Sequence, residues 1–441
     1  MSKVLLINPD PVPRVLPMLG ICYIAENLKK YNHIPVILDK GYNNPEKNGK
    51  GWNNTLKDID FVGITATTLI YFDAKKVVQK IKSVNSQIPV IIGGIHASIL
   101  PQFVLEDSGC DAVVVGEGEH VMVEIADHTL LPKGIINAPV IQDIDSIPFL
   151  TYDYIDMNKY FDFDGTDRIR WSLPQPGIAL TGTRGCPFEC TFCAAKSLFG
   201  RKVRFRSVNN IMQEIDFLIE KYKIKSVFFN DDTLTLKRKW INELCFELAK
   251  RKLKWICGTR VDVIDEDLLR LMKESGCMYI SYGIESGSNR VLKDIIKKGT
   301  TIEQAEKILN ITHKLGIKII ANYMFGLPGE TEDDMKLTLK AIKRLPADAA
   351  EFNIYIPLPG AELATGNDWS YYTSEKNPYH KKNPIFSPEL SKVISYYHKK
   401  AIYSFYFSPK YLFKQIKLLF YPRRFYYALK SFVRLITDLI E

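Results

Sequence analysis

The chain has 441 residues, 46% of them hydrophobic, and a formal net charge of +9. This length predicts two or three domains, and no apolar run reaches the roughly eighteen residues of a transmembrane helix. The charge is concentrated from Lys399 onward, where nine Lys and Arg residues stand against two acidic ones, so a general nucleic-acid binder is not indicated. The opening Met-Ser-Lys-Val-Leu-Leu-Ile-Asn is too short an apolar run for a signal peptide and predicts a first strand.

The first part of the chain alternates short apolar runs with helical patterns. Because strands of a parallel sheet are buried on both faces, this alternation predicts a doubly wound α/β (Rossmann-type) sheet. Five strands predict a flavodoxin-like order, with ligands at the carboxyl ends of the strands. The predicted strands are Val4–Ile7, Ile34–Leu38, Phe61–Thr65, Val90–Ile92 and Ala112–Val115, and the helices between them include Leu19–Lys30, Phe72–Val84 and Leu100–Ser108.

Glycines and hydroxyl groups follow three of these strands. A glycine lets a ligand approach the backbone, and a hydroxyl offers a hydrogen bond. Packing alone explains any one of these turns equally well. The residues in question lie in Thr65-Ala-Thr67, Gly93-Gly94-Ile-His96 and Gly116-Glu117.

A second strand–helix series begins at Ile178, after an irregular stretch from Leu131 to Leu173 that predicts a linker. Six βα units predict a partial barrel rather than the full eight-stranded one, with chemistry at the carboxyl ends of its strands. The predicted strands are Ile178–Thr181, Ser226–Asn230, Lys254–Gly258, Tyr279–Gly283, Lys318–Met324 and Glu351–Ile356, and the predicted helices include Val208–Tyr222, Lys237–Lys250, Asp265–Ser275 and Glu332–Arg344.

Three cysteines, Cys186, Cys190 and Cys193, form a Cys-x3-Cys-x2-Cys cluster after the first of these strands. Three thiolates can hold three irons of a cubane cluster and leave the fourth iron open for a small molecule. A structural zinc site would need a fourth Cys or His nearby, and the next cysteine is Cys245. Eight cysteines in a chain of this length are too few for a disulfide framework. The other five read as small core residues.

At this cluster the chain resembles the radical S-adenosylmethionine (SAM) superfamily, and the resemblance extends from about Pro176 to Leu363. It implies that the three cysteines bind a [4Fe–4S] cluster whose open iron is chelated by SAM. Phe192 also fits, since the family favours an aromatic residue before the last cysteine.

Polar residues at the other strand ends have roles that this resemblance implies. Asp231 or Asp232 suits the SAM ammonium, and Arg260 suits its carboxylate, because a guanidinium forms two hydrogen bonds with a carboxylate. Each role has a structural alternative: a helix N-cap for Asp232 and a salt bridge for Arg260. For Glu285, a candidate for the ribose or the ammonium, the alternative is an ion pair with Lys298. The remaining candidates at these strand ends are Ser286, Asn322 and Gly326.

Residues from Met1 to about Ala126 resemble the cobalamin-binding domain of cobalamin-dependent radical SAM proteins. The cofactor contacts implied are Thr65, Thr67, Gly93, Gly94, His96, Gly116 and Glu117. The Asp-x-His-x-x-Gly motif, whose His binds cobalt in other cobalamin proteins, is absent, and His96 follows a different strand.

The resemblance implies a radical SAM enzyme that uses cobalamin to C-methylate an unactivated carbon. The alternatives are a radical SAM cyclase or oxidoreductase whose first domain is empty, and a non-catalytic iron–sulfur protein. The resemblance to radical SAM enzymes also implies a low-potential electron donor such as flavodoxin or ferredoxin. The expected substrate is a small molecule or a lipid, and reduced thiols predict the cytoplasm.

The basic, aromatic tail supports two interpretations: a helical cap over the barrel, or a helix that lies on an anionic membrane surface. Its predicted amphipathic helices are Ile416–Phe420 and Tyr426–Ile440. The predicted organisation is a cobalamin-binding-like domain at 1–135, a linker at 136–175, a radical SAM core at 176–365 and a helical segment at 366–441.

Overall fold

The computed structural model describes residues 1–47, 49, 51–161, 173–366, 369 and 386–416. Two six-stranded, wholly parallel sheets make up most of this part of the chain, and a two-stranded antiparallel ladder is inserted in the sequence after the first strand of the second sheet. None of the helices in these ranges is long and apolar enough to cross a membrane.

The first sheet has the strand order β2-β1-β3-β4-β5-β6. Its first five strands have the predicted flavodoxin-like order. The strands are β1 (Lys3–Asn8), β2 (Ile34–Asp39), β3 (Phe61–Thr65), β4 (Val90–Gly93), β5 (Ala112–Val115) and β6 (Gly134–Asn137). The helices are α1 (Leu19–Lys30), α2 (Lys40–Asn43), α3 (Gly51–Thr55), α4 (Tyr71–Val84), α5 (Ile95–Ile99), α6 (Pro101–Ser108) and α7 (Gly118–Ala126).

Strand β1 shows why these runs are continuously apolar. Successive side chains of a strand point to opposite faces of the sheet. Val4 and Leu6 join the hydrophobic cluster that contains Ile21 of α1, whereas Leu5 and Ile7 join a second cluster. Because helices cover both faces, both sets are buried.

The segment after β5 is more ordered than the sequence predicts. Strand β6 lies within the stretch predicted to be irregular. Farther on, the carboxylate of Glu26 accepts hydrogen bonds from the backbone N–H of Thr151 at 2.5 Å and of Tyr152 at 3.2 Å. Glu214 accepts one from the N–H of Leu150 at 2.8 Å. The segment, which includes α8 (Asn158–Phe161), is therefore fixed to both halves of the molecule.

The second sheet has the order β14-β13-β12-β11-β10-β7, which is the predicted partial barrel of six βα units. Its strands are β7 (Gly177–Leu180), β10 (Ser226–Phe229), β11 (Lys254–Thr259), β12 (Cys277–Glu285), β13 (Lys318–Phe325) and β14 (Ala349–Ile354). The antiparallel ladder pairs β8 (Thr183–Arg184) with β9 (Arg204–Phe205), and α9 (Lys196–Phe199) lies between them. The helices are α10 (Val208–Tyr222), α11 (Arg238–Arg251), α12 (Glu266–Glu274), α13 (Ile302–Lys314) and α14 (Glu332–Arg344).

Two further helices, α15 (Pro388–Tyr406) and α16 (Pro409–Ile416), close the described chain. Helix α15 packs on α14 and β14, with Phe405 and Tyr406 buried against Phe352. Within the described residues, the helical-cap interpretation is therefore correct for α15. The predicted helix Tyr426–Ile440 lies outside the described residues, as does all but the first residue of Ile416–Phe420.

Candidate functional site

A cleft of about 340 Å³ lies where the carboxyl ends of the two sheets face each other. A cofactor in this position would contact both halves of the chain. The first half contributes Thr65, Thr67, Gly93, Gly94, Gly116 and Glu117 to its lining, and the second contributes Thr181, Thr183, Arg184, Asn230 and Asp232.

The three cysteines lie on the loop between β8 and α9, and both of these flanking elements contribute residues to the cleft lining. All three are half-buried free thiols. Burial raises the pKa of Cys186 and of Cys193, and the nearby Asp232 and Cys190 raise both further. The charge of Cys190 therefore affects the ionisation of both other thiols. In the described ranges no three His, Cys, Asp or Glu side chains are grouped tightly enough for one metal ion, whereas a cubane cluster places each thiolate on a separate iron.

The adjacent residues Asp231 and Asp232 differ in their surroundings. Asp231 is buried and accepts hydrogen bonds from the N–H groups of Gly182 at 3.1 Å and Thr183 at 2.5 Å. Burial raises the pKa of Asp231 to about 6, although these hydrogen bonds oppose the rise. Asp232 lines the cleft, and its carboxylate has no hydrogen bond or ion pair with any other described residue. Asp231 therefore supports the turn before the cysteine loop, and Asp232 is available to a ligand.

Arg260 is already engaged by protein groups. Its Nε and Nη2 donate to Asp262 at 2.9 and 2.7 Å, and Nη2 also donates to the carbonyl oxygen of Lys298. Nη1 donates to Cys190 Sγ at 3.3 Å. Since a guanidinium has five N–H groups, one remains. A two-bond grip on the SAM carboxylate would require Arg260 to leave Asp262.

Glu285 and Ser286 also have partners within the protein. The Glu285 carboxylate pairs with Lys298 Nζ at 2.8 Å, which is the alternative that the sequence leaves open. Ser286 is fully buried, and its Oγ accepts from the N–H of Ser288 at 3.1 Å and lies 3.2 Å from Thr338 Oγ1. These contacts assign Ser286 to the support of the strand end.

The other second-half candidates lie around the same strand ends. Asn322 Nδ2 donates to Ser281 Oγ at 2.9 Å and thereby joins β13 to β12. Gly326 has φ +81°, and its N–H donates to Glu330 Oε2 at 2.6 Å. Phe192 packs against the hydrophobic cluster that contains Leu292.

Two neighbouring glycines of the first half, Gly93 and Gly94, differ in whether the fold leaves room for a side chain. A Cβ on Gly94, where φ is +94°, would lie 2.8 Å from the Ala66 carbonyl oxygen, so the fold itself requires this glycine. A Cβ on Gly93 would have the Val114 carbonyl oxygen, at 3.9 Å, as its nearest neighbour. Gly93 is therefore the position where a larger side chain would fill the cleft and leave the backbone undisturbed.

Glu117 belongs to a buried ion-pair network between the two halves. Its carboxylate accepts from Arg184 Nη1 at 2.8 Å and Arg204 Nη1 at 2.6 Å, and Glu119 accepts from Arg184 Nη2 at 2.5 Å. Burial opposes ionisation, but these arginines hold the pKa of Glu117 below its usual value. We call Glu117, Glu119, Arg184 and Arg204 the interdomain clamp.

Glu119, Arg184 and Arg204 were not predicted from the sequence. For two of them the position was a signal: Glu119 follows Gly118 at the start of α7, and Arg184 directly precedes Gly185-Cys186. Charged residues at such glycine-rich strand ends need a partner if they are buried.

His96 lies away from the cleft lining. It is completely buried, its Nδ1 lies 3.2 Å from Thr68 Oγ1, and its ring is 4.3 Å from that of Tyr71. Burial lowers the pKa of His96 to about 4. This packing assigns the neutral imidazole to the core behind the glycine turn.

Comparison with known proteins now identifies the family. Residues 180–342 match the radical SAM superfamily, and residues 10–126 match the B12-binding domain. An uncharacterized methyltransferase of Pyrococcus horikoshii is 32% identical, with 94% of each chain covered. The chain belongs to the radical SAM superfamily and carries an amino-terminal B12-binding domain.

Two further comparisons show the range of this radical SAM family. The anaerobic magnesium-protoporphyrin IX monomethyl ester cyclase of Rubrivivax gelatinosus is 31% identical over 87% of this chain and 73% of its own. The structure of the radical SAM methyltransferase TsrM from Kitasatospora setae superposes with a TM-score of 0.68 at 19% identity, over 82% of this chain and 75% of that one. At this low sequence identity, the superposition on TsrM shows that the two chains share a fold.

This radical SAM enzyme uses a [4Fe–4S] cluster, SAM and cobalamin, and the cleft residues fit all three. Three free thiols share the loop whose flanking elements line the cleft, and the carboxylate of Asp232 faces the cleft with no partner among the residues that the structure describes. The opposite wall carries Gly93, where a side chain would enter open space.

Proposed function

We propose that this enzyme transfers a methyl group to an unactivated carbon of a small molecule or a lipid. The observation that carries the proposal is a cleft lined by the carboxyl-end turns of both sheets, with glycines and hydroxyl groups from the first sheet and Asp232 from the second. A 32% identical relative that covers nearly the whole chain is named a methyltransferase.

The assignment of residues follows from their surroundings. Cys186, Cys190 and Cys193 hold the cluster, and the unpaired carboxylate of Asp232 accepts a hydrogen bond from the SAM ammonium. When bound, the reduced cluster supplies the electron that cleaves SAM, and cobalamin supplies the methyl group.

On the opposite wall, Thr65, Thr67 and Gly93 contact the corrinoid. Apolar lining residues such as Ile64 and Met122 keep water out of the cleft, where it would quench a radical.

The enzyme needs a reductant and a substrate, and we infer the class of each. A low-potential carrier such as flavodoxin or ferredoxin supplies the electron. A reducing compartment keeps the three thiols free for iron, which favours the cytoplasm.

Ring formation is the second candidate function, because a 31% identical relative is named a cyclase. Mass spectrometry of the product separates the two reactions. A methylated product gains one carbon and two hydrogens, whereas ring closure adds no carbon.

The test uses protein reconstituted anaerobically, with iron, cobalamin and products measured together. Replacing Cys186, Cys190 and Cys193 with Ala removes the thiolates, so we expect loss of iron and of SAM cleavage. The Gly93→Leu variant fills the cobalamin wall, so we expect loss of cobalamin with iron retained. The matched controls are Cys245→Ala, a buried cysteine outside the loop, and Gly93→Ala.

A triple cysteine variant that keeps its iron and its charge-transfer absorption contradicts the cluster assignment. If the Gly93→Leu variant retains as much cobalamin as the Gly93→Ala variant, this wall does not contact the corrinoid.

We also propose that α15 meets an anionic membrane surface and thereby brings a lipid substrate within reach. Lys392, Tyr396, Lys400 and Tyr403 share one face of the helix by their spacing. Tyr396 is 55% exposed and Tyr403 48% exposed. Tyrosine and lysine combine an apolar body with a polar end, as an interfacial helix requires.

Vesicles that contain phosphatidylserine test this contact. Each Lys near an anionic surface contributes about 1 kcal/mol, and salt screens the attraction. We expect co-sedimentation at low salt and its loss when Lys392, Lys400 and Lys410 are all replaced with Glu. The matched control replaces the exposed Lys80, Lys239 and Lys307 with Glu. Equal sedimentation of the two triple variants would contradict a specific role for α15.

A further inference from the structure

The guanidinium of Arg260 lies against the cysteine loop. Arg260 follows β11 and is only 6% exposed. Its Nη1 donates to Cys190 Sγ at 3.3 Å, within the distance accepted for a hydrogen bond to sulfur. Its guanidinium carbon lies 3.7 Å from the ring centroid of Phe188, which belongs to the same loop. Arg260 therefore contacts the loop through both a hydrogen bond and an aromatic face.

Groups outside the loop fix the direction of this guanidinium. Asp262 accepts two of its hydrogen bonds, and the carbonyl oxygen of Lys298 accepts a third. The side chain of Lys298 is itself paired with Glu285. Because the fork is planar and held on two sides, Nη1 has little freedom to turn away from the sulfur.

A cation that donates a hydrogen bond to a cluster thiolate favours the cluster state with more negative charge. Hydrogen bonds to the sulfurs are one of the factors that set the reduction potential of an iron–sulfur cluster. One-electron reduction adds a negative charge to the cluster, so Arg260 raises the potential. The carboxylate of Asp262 has the opposite electrostatic effect and partly offsets it.

We propose that Arg260 is a positioning residue that holds Cys190 and raises the reduction potential of the cluster, with Asp262 limiting the rise. The electron comes from the low-potential carrier. Arg260 stays protonated throughout, and no bond to it forms or breaks. The inference rests on the proposed assignment of Cys190 as a cluster ligand.

The experiment is a potentiometric titration of the reconstituted cluster without SAM, followed by electron paramagnetic resonance. In Arg260→Gln the charge is gone, and we expect the reduction equilibrium constant to fall on the order of tenfold, which is about 59 mV for one electron. In Asp262→Asn we expect a shift in the opposite direction. The matched control is Arg251→Gln, because Arg251 at the end of α11 donates two hydrogen bonds of 2.6 Å to the carboxylate of Asp216 on α10, in another part of the molecule.

Opposite shifts in the two variants, with no shift in Arg251→Gln, support the proposal. Unchanged potentials, or shifts in the same direction, overturn it. If Arg260→Gln fails to assemble a cluster, Asp262→Asn decides alone: a raised potential supports the proposal, and an unchanged one overturns it. Weaker SAM affinity with an unchanged potential favours the carboxylate-binding role instead. A cluster that assembles fully in Cys190→Ala rejects the ligand assignment, which is a separate failure.

Discussion

Asp231 and Asp232 are neighbours at one strand end but have different roles, since the first supports the turn and the second is available to a ligand. The carboxylate of Asp231 is saturated by N–H donors of the turn at Gly182 and Thr183. Asp232 lies in the cleft, and the protein around it raises its pKa by burial. Because the carboxylate of Asp232 has no partner among the described residues, binding the positively charged cofactor would stabilise its ionised form.

Replacing Asp232 with Asn tests this division. The amide keeps the shape but loses the charge, so SAM affinity should fall by about 1.5–3 kcal/mol, the range for a hydrogen bond to a charged group. Calorimetric titration of the reconstituted protein measures it. Thermal stability should be unchanged, because no protein partner is lost.

Asp231→Asn is the matched control, and the opposite pattern is expected. Its new NH2 group would face the N–H donors of the turn, which lowers stability and leaves SAM affinity in the folded fraction intact. A larger loss of SAM affinity in Asp231→Asn than in Asp232→Asn would reverse the two roles.

The sequence predicted only part of the ion pairing in the site. The positions of Arg260 and Glu285 at strand ends follow from the strand–helix pattern, and Lys298 was predicted as the alternative partner of Glu285. No partner was predicted for Arg260, because the loop that carries Asp262 takes its course from the folded barrel. For both residues a ligand role and an ion pair were open, and the structure shows the ion pairs.

At the scale of elements, Gly326 determines how α15 packs. It ends β13 with φ +81°, and a Cβ there would lie 2.9 Å from Ile394 Cδ1 and 3.1 Å from Phe386 Cζ. A side chain at this position would therefore force Ile394 of α15 to shift.

The Gly326→Ala variant should lose about 1–3 kcal/mol of unfolding free energy, as overpacked sites do. Gly299→Ala is the matched control, because Gly299 has φ +74° and no atom within 4 Å of the added Cβ. Both substitutions place an alanine at a positive φ, so the backbone strain is common to the two variants. The difference between their unfolding free energies in denaturant therefore measures the collision of the added methyl group with α15. Equal losses in both variants would show that α15 accommodates the methyl group.

The long, strongly patterned elements were predictable, and the short ones were not. Strands of β1 to β5 and of the barrel are apolar runs between helices, and their types and order are as predicted. Strand β6 has four residues with alternating exposure at the sheet edge, so it carries no continuous apolar signal. Its pairing with β5 is a tertiary contact.

At the scale of the molecule, the interdomain clamp joins the cobalamin-side sheet to strands β8 and β9, which flank the cysteine loop and α9. Arg184 and Glu117 are each less than 10% exposed. Removing one partner of a buried ion pair leaves an uncompensated charge, which costs about 3–5 kcal/mol.

We therefore expect Glu117→Gln to destabilise the protein by about 3–5 kcal/mol in denaturant unfolding. The lowered pKa of Glu117 means that its contribution is present at neutral pH and is lost as the pH falls, so the difference from wild type should shrink on acidification. Glu362→Gln is the matched control, because its ion pair with Lys297 is exposed and solvent screens it, so little stability should be lost. An equally small effect at Glu117 would mean that the clamp does not hold the halves together.

The attachment of the segment after β6 restricts how this protein can be recombined with its relatives. Glu26 and Glu214, one from each half, accept N–H groups of three consecutive residues, from Leu150 to Tyr152. A chimaera that exchanges the first domain alone would separate Glu26 from its backbone donors, and Glu117 and Glu119 from their arginines. A graft that preserves the cleft must therefore carry these acidic residues with the incoming domain and keep the segment from Leu150 to Tyr152 in register.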